Sequence, residues 1–494
     1  MITDIESLFA ISAKWPPTDH DTKERLELCE RNENLFLGDH NKVWQDELRK
    51  LRGDKSGDIR FKLNYFELLS LLWADLSVGE APDAKIDGDN QAEADALTRI
   101  IQANHLWSVI GDSVIDLSKY GDAVLKIRYD KRGIIENVPP EYWFPVVEAG
   151  NIKQIKAHIL AYTFEKPGEN QSVAELPVFF PASSQLSDEQ QKALITNGPL
   201  SAGKISYLKA EIHTIGKIEH RLYRLKDHQI DSQLDLSTFD EFKVLERFQG
   251  TGLDDFAIIV IHNITSTKKY HGKDDYSNII DIVKELELRY SQISFVEDKF
   301  TDPWVYGPQM EEQDPRDGEF KIMGGSKYIS LVEGQSPPGA LTWDCQLPAN
   351  FQTIGGDGWG LMQRFYELSE TCKVAFDASA GGQGLSAQAL KLMLFKPLKK
   401  SNRIQTRFNP ETQKAIRLCS QIEVFMGMAG AVEIPAIKIV WHDGLPQDHN
   451  ADAQRDATLV NGKVRSAQGL MREKGMSEED IQKETDEIMQ RQGL

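Results

Sequence analysis

Only four cysteines occur in 494 residues, and Cys29, Cys345, Cys372 and Cys419 are far apart with no CxxC pair among them. That usage fits a reducing compartment and argues against a disulfide framework or a zinc site. No uncharged apolar run reaches the roughly 18 residues of a membrane-spanning helix, and MITDIESLFAISAKWPP has no basic stretch ahead of an apolar one. Neither a membrane span nor a secretory signal is expected. There is no GxxxxGK[ST], HExxH or GxSxG, so a phosphate-gripping ATP loop and the commonest hydrolase motifs are missing. The histidines are scattered; His442-Asp443 and His449 suggest no catalytic cluster, and no cofactor or metal is expected. Asp87-Gly88-Asp89-Asn90 lacks the later Gly and Glu of a calcium loop and reads as a solvated turn.

What is present is acid. The 76 Asp and Glu outnumber the 57 Lys and Arg, giving a net charge of −19. Phosphate-gripping proteins cluster basic residues, so this balance disfavours tight nucleic-acid binding. With 40% hydrophobic and 27% charged residues the chain is ordinary globular material. Its length predicts roughly two to four domains.

Periodicity divides the chain. TKERLELCERNENLFLG reads as a polar helix ending near Gly38. FKLNYFELLSLLWADLSV (61–78) reads as a packed helix, and another follows near 91–119. From Tyr120 the period changes to two. Ala123, Leu125, Ile127 and Tyr129 alternate with Asp122, Lys126 and Arg128, followed by a Lys-Arg-Gly turn and a return strand. Strands are expected over 152–164, 203–215 and 217–225, the last two hinged at Gly216, with 166–202 as an exposed insertion. Residues 1–262 thus predict one α+β domain with an antiparallel sheet flanked by helices.

A long helix fits 274–300, with Asp275 or Ser277 as N-cap. Ile279, Val283, Leu286, Tyr290 and Ile293 form a narrow seam, and Glu285 precedes Arg289 by four. Two short strand-like runs (319–323 and 327–332) lie among Gly and Pro. A helix fits 356–376, then comes a small-residue loop, then a helix from Ser386 to Met428 that Pro397 should kink or break. A strand at 431–446 and a polar helical tail end the chain.

Four stretches in this order carry a resemblance. They are YGDAVLKIRYDKRGIIENVPPEYWFPV; Ile261-His262-Asn263-Ile264 with Asp274-Asp275-Tyr276-Ser277-Asn278-Ile279; Gly384-Leu385-Ser386-Ala387-Gln388-Ala389-Leu390-Lys391; and Ile437-Lys438-Ile439-Val440-Trp441 with Leu445-Pro446. Together they resemble the portal proteins of tailed double-stranded DNA bacteriophages, in the large family common in phages of Gram-positive hosts. The third departs from the family's Ser-Gly-x-Ala-Leu-Lys, with Ala387 after the serine and Gln388 inserted.

The resemblance implies a portal fold: a wing at 1–262 to which 429–446 returns, stem helices at 263–302 and 353–376, a clip at 303–352, a tunnel loop at 377–388, a kinked helix at 389–428 and a crown at 447–494. It implies a non-enzymatic homo-oligomeric ring of twelve at one capsid vertex of the virion, assembled in the host cytoplasm. Double-stranded DNA would pass through it without sequence preference. The terminase large subunit and then a head–tail adaptor would dock on it, beside major capsid and scaffolding proteins, with no membrane and no cofactor. The loop residues Ala378, Ser379, Ala380, Gly381, Gly382, Gln383, Gly384 and Leu385 would face the DNA, where glycine tolerates backbone angles closed to other residues. Without the resemblance the same loop reads as an interhelical connector.

Lys391, Lys396, Lys399 and Lys400, with Arg403 and Arg407 beyond them, are a basic run in an acidic chain. They offer weak phosphate contacts or, equally, ion pairs with neighbouring carboxylates. Trp304, Tyr306 and Trp343 in the clip fit an interface or a small local core. Another non-enzymatic capsid or scaffold protein is the alternative; the helix, small module, returning helix and glycine loop set the portal arrangement apart from it.

Overall fold

The computed structural model describes residues 2–44, 61–166, 205–301, 360–376 and 387–442, the short strands between 305 and 331, and parts of 454–486. In chain order the first elements are α1 (Ile5–Leu8), α2 (His20–Phe36), α3 (Tyr65–Val78), β1 (Asp83–Ile86), α4 (Gln91–Asn104) and α5 (Leu106–Tyr120). The helix expected over 91–119 is therefore two. His105 takes the left-handed conformation (φ 46°) between them. Asn104 explains the stop: its side chain accepts from Ile135 N–H and donates to the Gly133 carbonyl, docking the helix end onto a strand.

Next come β2 (Asp122–Tyr129), β3 (Gly133–Val138), β4 (Trp143–Glu148), β5 (Asn151–Lys166), β6 (Ile205–Thr214), β7 (Lys217–Lys226), β8 (Gln229–Leu234), β9 (Phe248–Gly250) and β10 (Ile258–His262). The hairpin at Gly216 is as expected, with φ +72° there. The single predicted sheet is two. One has order β10-β2-β3; the other is β4-β5-β6-β7-β8, with β9 also on β7. The division falls at Pro139-Pro140, where a 3₁₀ turn interrupts the path from β3 to β4. Proline has no N–H for a ladder, so β4 leaves β3 and pairs with β5.

Alternation on β2 decides the layering. Ala123, Leu125 and Ile127 are buried in the main core against helices α3, α4 and α5. Val124, on the other face, packs with Trp143, Leu160, Ile258 and Tyr270 between the sheets. The far face of the larger sheet is covered by Leu8, Phe9 and Trp15 from the N-terminal segment.

The remaining elements are α6 (Ile280–Thr301), β11 (Val305–Pro308), β12 (Glu311–Gln313), β13 (Phe320–Ile322), β14 (Tyr328–Leu331), α7 (Leu361–Leu368), α8 (Lys373–Phe376), α9 (Ala387–Met393), α10 (Phe395–Phe425), β15 (Ile437–Val440) and α11 (Ala467–Glu473). β11 and β14 pair in parallel, and β12 with β13 antiparallel. β15 returns to pair with β1, Ile439 opposite Ala84. The helix expected over 356–376 turns at Glu370 (φ 61°) between α7 and α8. The break near Pro397 falls three residues earlier, at Leu394, leaving Pro397 buried in the first turn of α10. Asp274, rather than Asp275 or Ser277, caps the turn before α6, accepting from Ser277 N at 2.6 Å and Ser277 Oγ at 2.7 Å.

Charged groups as well as apolar ones fill the space between the sheets. Lys126 Nζ reaches Glu211 at 2.8 Å, and Lys209 Nζ donates to His220 Nδ1 at 3.0 Å. Trp143 Nε1 donates to His158 Nδ1 at 3.0 Å. An indole N–H and an ammonium can only donate, so both histidine Nδ1 atoms are acceptors and both rings are neutral. Burial, with neighbouring positive charge, pushes His158 down to about 3 and His220 to about 4. The unfolded chain protonates these rings near the ordinary 6.5. The folded chain does so only at lower pH, so stability is complete above 6.5 and is lost as pH falls toward 4 and below. Denaturant unfolding between pH 7 and 4 should show a loss of up to about 1.4 kcal/mol per pH unit for each such ring. His158→Asn keeps an acceptor for Trp143 and should flatten the slope; an unchanged slope contradicts the assignment.

Candidate functional site

The long helix α10 is held by polar groups along its length, and these define the site. Helix α3 ends at Val78, so the carbonyls of its last turn have no partner within the helix. Ser401 Oγ donates to Leu76 O at 2.8 Å, and Gln405 Nε2 to Ser77 O at 3.1 Å. Further along, Arg407 Nη1 donates to His262 O at 2.9 Å. Near the C-terminal end the buried Glu423 carboxylate takes both Nη atoms of Arg99, at 3.0 and 2.8 Å, and the Gly133 N–H at 2.9 Å.

Lys400 lies at the centre of this docking. It is 3% exposed, its ammonium 2.8 Å from Asp275 Oδ1 and 4.2 Å from the Trp73 ring centroid. Asp275 also accepts from Asn263 Nδ2 at 3.0 Å, and its own N–H donates to Ser118 O. The next residue, Tyr276, is fully buried, with its hydroxyl donating to Phe66 O at 3.0 Å. Ile279, just before α6, and Val283 within it enter the main core, Leu286 is buried further along, and the buried Glu287 meets His40 Nδ1 at 2.5 Å and Leu63 N–H at 2.7 Å. The entry to α6 and the start of α10 are thus tied together across the core.

A second junction holds the loop before that entry. Asp122 accepts from His262 Nδ1 at 2.6 Å, His271 Nδ1 at 2.8 Å and Gly272 N–H at 2.8 Å. Burial would raise this carboxyl, but the two histidines outweigh it and hold it well below the usual carboxylate range. Gly121 and Gly272 pass so close that a Cβ on either would collide with the other's carbonyl. Glycine at both positions is a packing requirement, and at Gly121 (φ +83°) also a conformational one.

Against this frame the expected residues separate. Lys391, Lys396 and Lys399 are exposed, Lys399 lying 5.5 Å from the Phe395 ring centroid. Lys400 does not belong with them: buried and paired with Asp275, it has no surface to offer a phosphate. Its spacing of four from Ile404 and again from Phe408, both buried, was the signal that placed it on the core face. Arg403 pairs with Glu370 on the turn after α7. Tyr306 lies on β11, opposite Ile329 of β14. Ala378 through Leu385, Trp304 and Trp343 lie outside the described residues. Leu392, Met393 and Phe395, at 72%, 43% and 56% exposure, form an apolar patch beside the exposed lysines, which the reading by charge alone missed.

An α+β chain whose polar groups serve helix docking fits a structural component, and the comparison with known families says which. The family described as phage portal protein, SPP1 Gp6-like, matches residues 17–492. The chain belongs to that family and has a phage portal role. Portal proteins are structural rather than enzymatic. No curated protein matches the chain. Among the described residues no helix is long and apolar enough to cross a membrane.

Lys400→Met leaves Asp275 buried without its counter-charge and should cost about 3–5 kcal/mol in denaturant unfolding. Adding Asp275→Asn should recover a large part of that loss. Strictly additive losses in the double variant would show that the two side chains do not interact.

Proposed function

We propose that twelve copies of the chain close into a ring at one vertex of the capsid and form the channel through which double-stranded DNA is packaged and later ejected. The observation that carries this reading is the family match, which spans all but the first 16 and the last two of 494 residues. In this reading residues 1–262 with 429–446 are the wing, and the pairing of β15 with β1 supports that return. Residues 263–302 and 353–376 are the stem, 303–352 the clip and 447–494 the crown. The terminase large subunit docks on the clip during packaging and a head–tail adaptor replaces it, with Trp304, Tyr306 and Trp343 at that interface. Major capsid and scaffolding proteins surround the ring in the virion, and assembly takes place in the host cytoplasm.

The acidic balance suits a conduit. At −19 per copy the ring repels phosphates over most of its surface and does not retain its cargo. The exposed Lys391, Lys396 and Lys399 supply weak, sequence-independent contacts where DNA passes closest, their number small enough for sliding. Residues 378–385, small and glycine-rich, form the tunnel loop that follows the duplex subunit by subunit. The apolar patch at Leu392, Met393 and Phe395 supports a packed neighbour at this level, since such side chains are buried in assemblies more often than left in water.

Replacing Gly381 and Gly382 with Val stiffens the loop and leaves the docking of α10 untouched. Capsids carrying the variant should incorporate it normally but protect much less DNA from nuclease. Packaging at the unmodified level would remove the tunnel-loop assignment.

A further inference from the structure

Arg25 is a buried charge with no carboxylate in direct contact among the described residues. It lies on the inner face of α2, aligned with the buried Thr22, Cys29 and Asn32, and is only 8% exposed. Nη1 donates to Pro140 O at 2.5 Å and the guanidinium stands 5.2 Å from the Phe144 ring centroid. Nη2 is buried with no hydrogen-bond partner among the described residues. No carboxylate pairs with it there. Asp122 is committed to His262, His271 and the Gly272 N–H. Asp122, Asp19 and Glu141 favour its charge through space but none contacts the guanidinium, so a directly bound anion would supply the missing counter-ion.

A cavity of about 130 Å³ adjoins this residue, between α2 and the loop after β10. Arg25 and Tyr270 form its buried part. Lys268 and Lys269 stand on the exposed rim, with Asp21 and Glu24 across from them. The loop is held in place: His271 and Gly272 bind Asp122, Lys273 N–H donates to Ile264 O, and Lys153 Nζ reaches the Ser266 and Lys269 carbonyls. Three cations therefore face two carboxylates, and the carboxylates are both in water. The cavity opens to solvent at the lysine rim and has room for one tetrahedral oxyanion against Arg25.

We propose that this cavity is a binding site for a small multivalent oxyanion of the phosphate class, with Arg25 as its inner ligand and Lys268 and Lys269 closing over it. An anion there would join α2 to the loop that leads into α6, linking the N-terminal helix to the entry of the long helices. Charge-assisted hydrogen bonds from a planar guanidinium to a tetrahedral anion are the strong kind.

The test is calorimetric titration of the full-length protein with inorganic phosphate, with thermal unfolding in phosphate and in chloride at matched ionic strength. Saturable binding in the millimolar range or tighter is expected, together with a rise in unfolding temperature that chloride does not reproduce. Lys268→Ala with Lys269→Ala, both exposed and neutral to folding, should weaken binding about tenfold. Arg25→Gln should abolish binding while unfolding at least as high as the unmodified chain in chloride, because it removes the uncompensated charge. If Arg25→Gln does not fold, the lysine pair alone decides. Absence of saturable binding, or binding that the lysine substitutions leave unchanged, overturns the site.

Discussion

The buried ion pair between Lys400 and Asp275 is the constraint on which the rest of the architecture depends. Asp275 opens the path into α6, and Lys400 is in the second turn of α10, so one contact sets two elements more than a hundred residues apart. The pair is dry, flanked by Trp73 and supported by Asn263, and a pair so placed tolerates little displacement before one charge is stranded. Ser401 and Gln405 extend the grip by satisfying the last carbonyls of α3, which would otherwise have no partner. Polar docking of this kind specifies position more sharply than apolar contact, because a shift of an ångström breaks a hydrogen bond and barely alters buried area. In the proposed ring, long helices that line a conduit would benefit from that sharpness.

The same economy governs the two sheets. Apolar residues fill one part of the space between them and neutral histidines with a Lys–Glu network fill another. The imidazoles are held neutral by donors that cannot reverse, Trp143 and Lys209, so the interface is defined at neutral pH and loosened by acid. Negative charge, abundant in the chain as a whole, is well partnered where it is buried: among the described residues Asp122, Glu211, Asp274, Asp275, Glu287 and Glu423 each meet a donor or cation at 2.5–3.0 Å.

Local order was legible in the chain and long-range order was not. Period-two alternation over 122–129 marks β2 and its core face, but the face read as polar is also buried, at Asp122 and Val124, because the second sheet covers it; the turn at Gly216 is visible as a hinge, and Ile279, Val283 and Leu286 mark the buried side of the long helix. What escaped were features decided by distant partners. The stop at His105 depends on Asn104 finding β3, and the split into two sheets depends on what β4 meets after the proline pair. Lys400 was grouped with its basic neighbours because charge is read along the sequence, whereas its burial follows from a spacing of four to Ile404 and Phe408. Arg25 has the same helical spacing to Cys29, and only the packing of α2 shows that it is buried. The resemblance to the portal family rests on the order of several short motifs rather than on any one, and the match over residues 17–492 bears it out.

What ties these observations to a biological role is closure of copies into a ring. Electron microscopy of the purified full chain addresses that most directly. The account predicts closed rings with a central hole wide enough to pass duplex DNA; monomers or solid particles at every concentration and salt tried would contradict it.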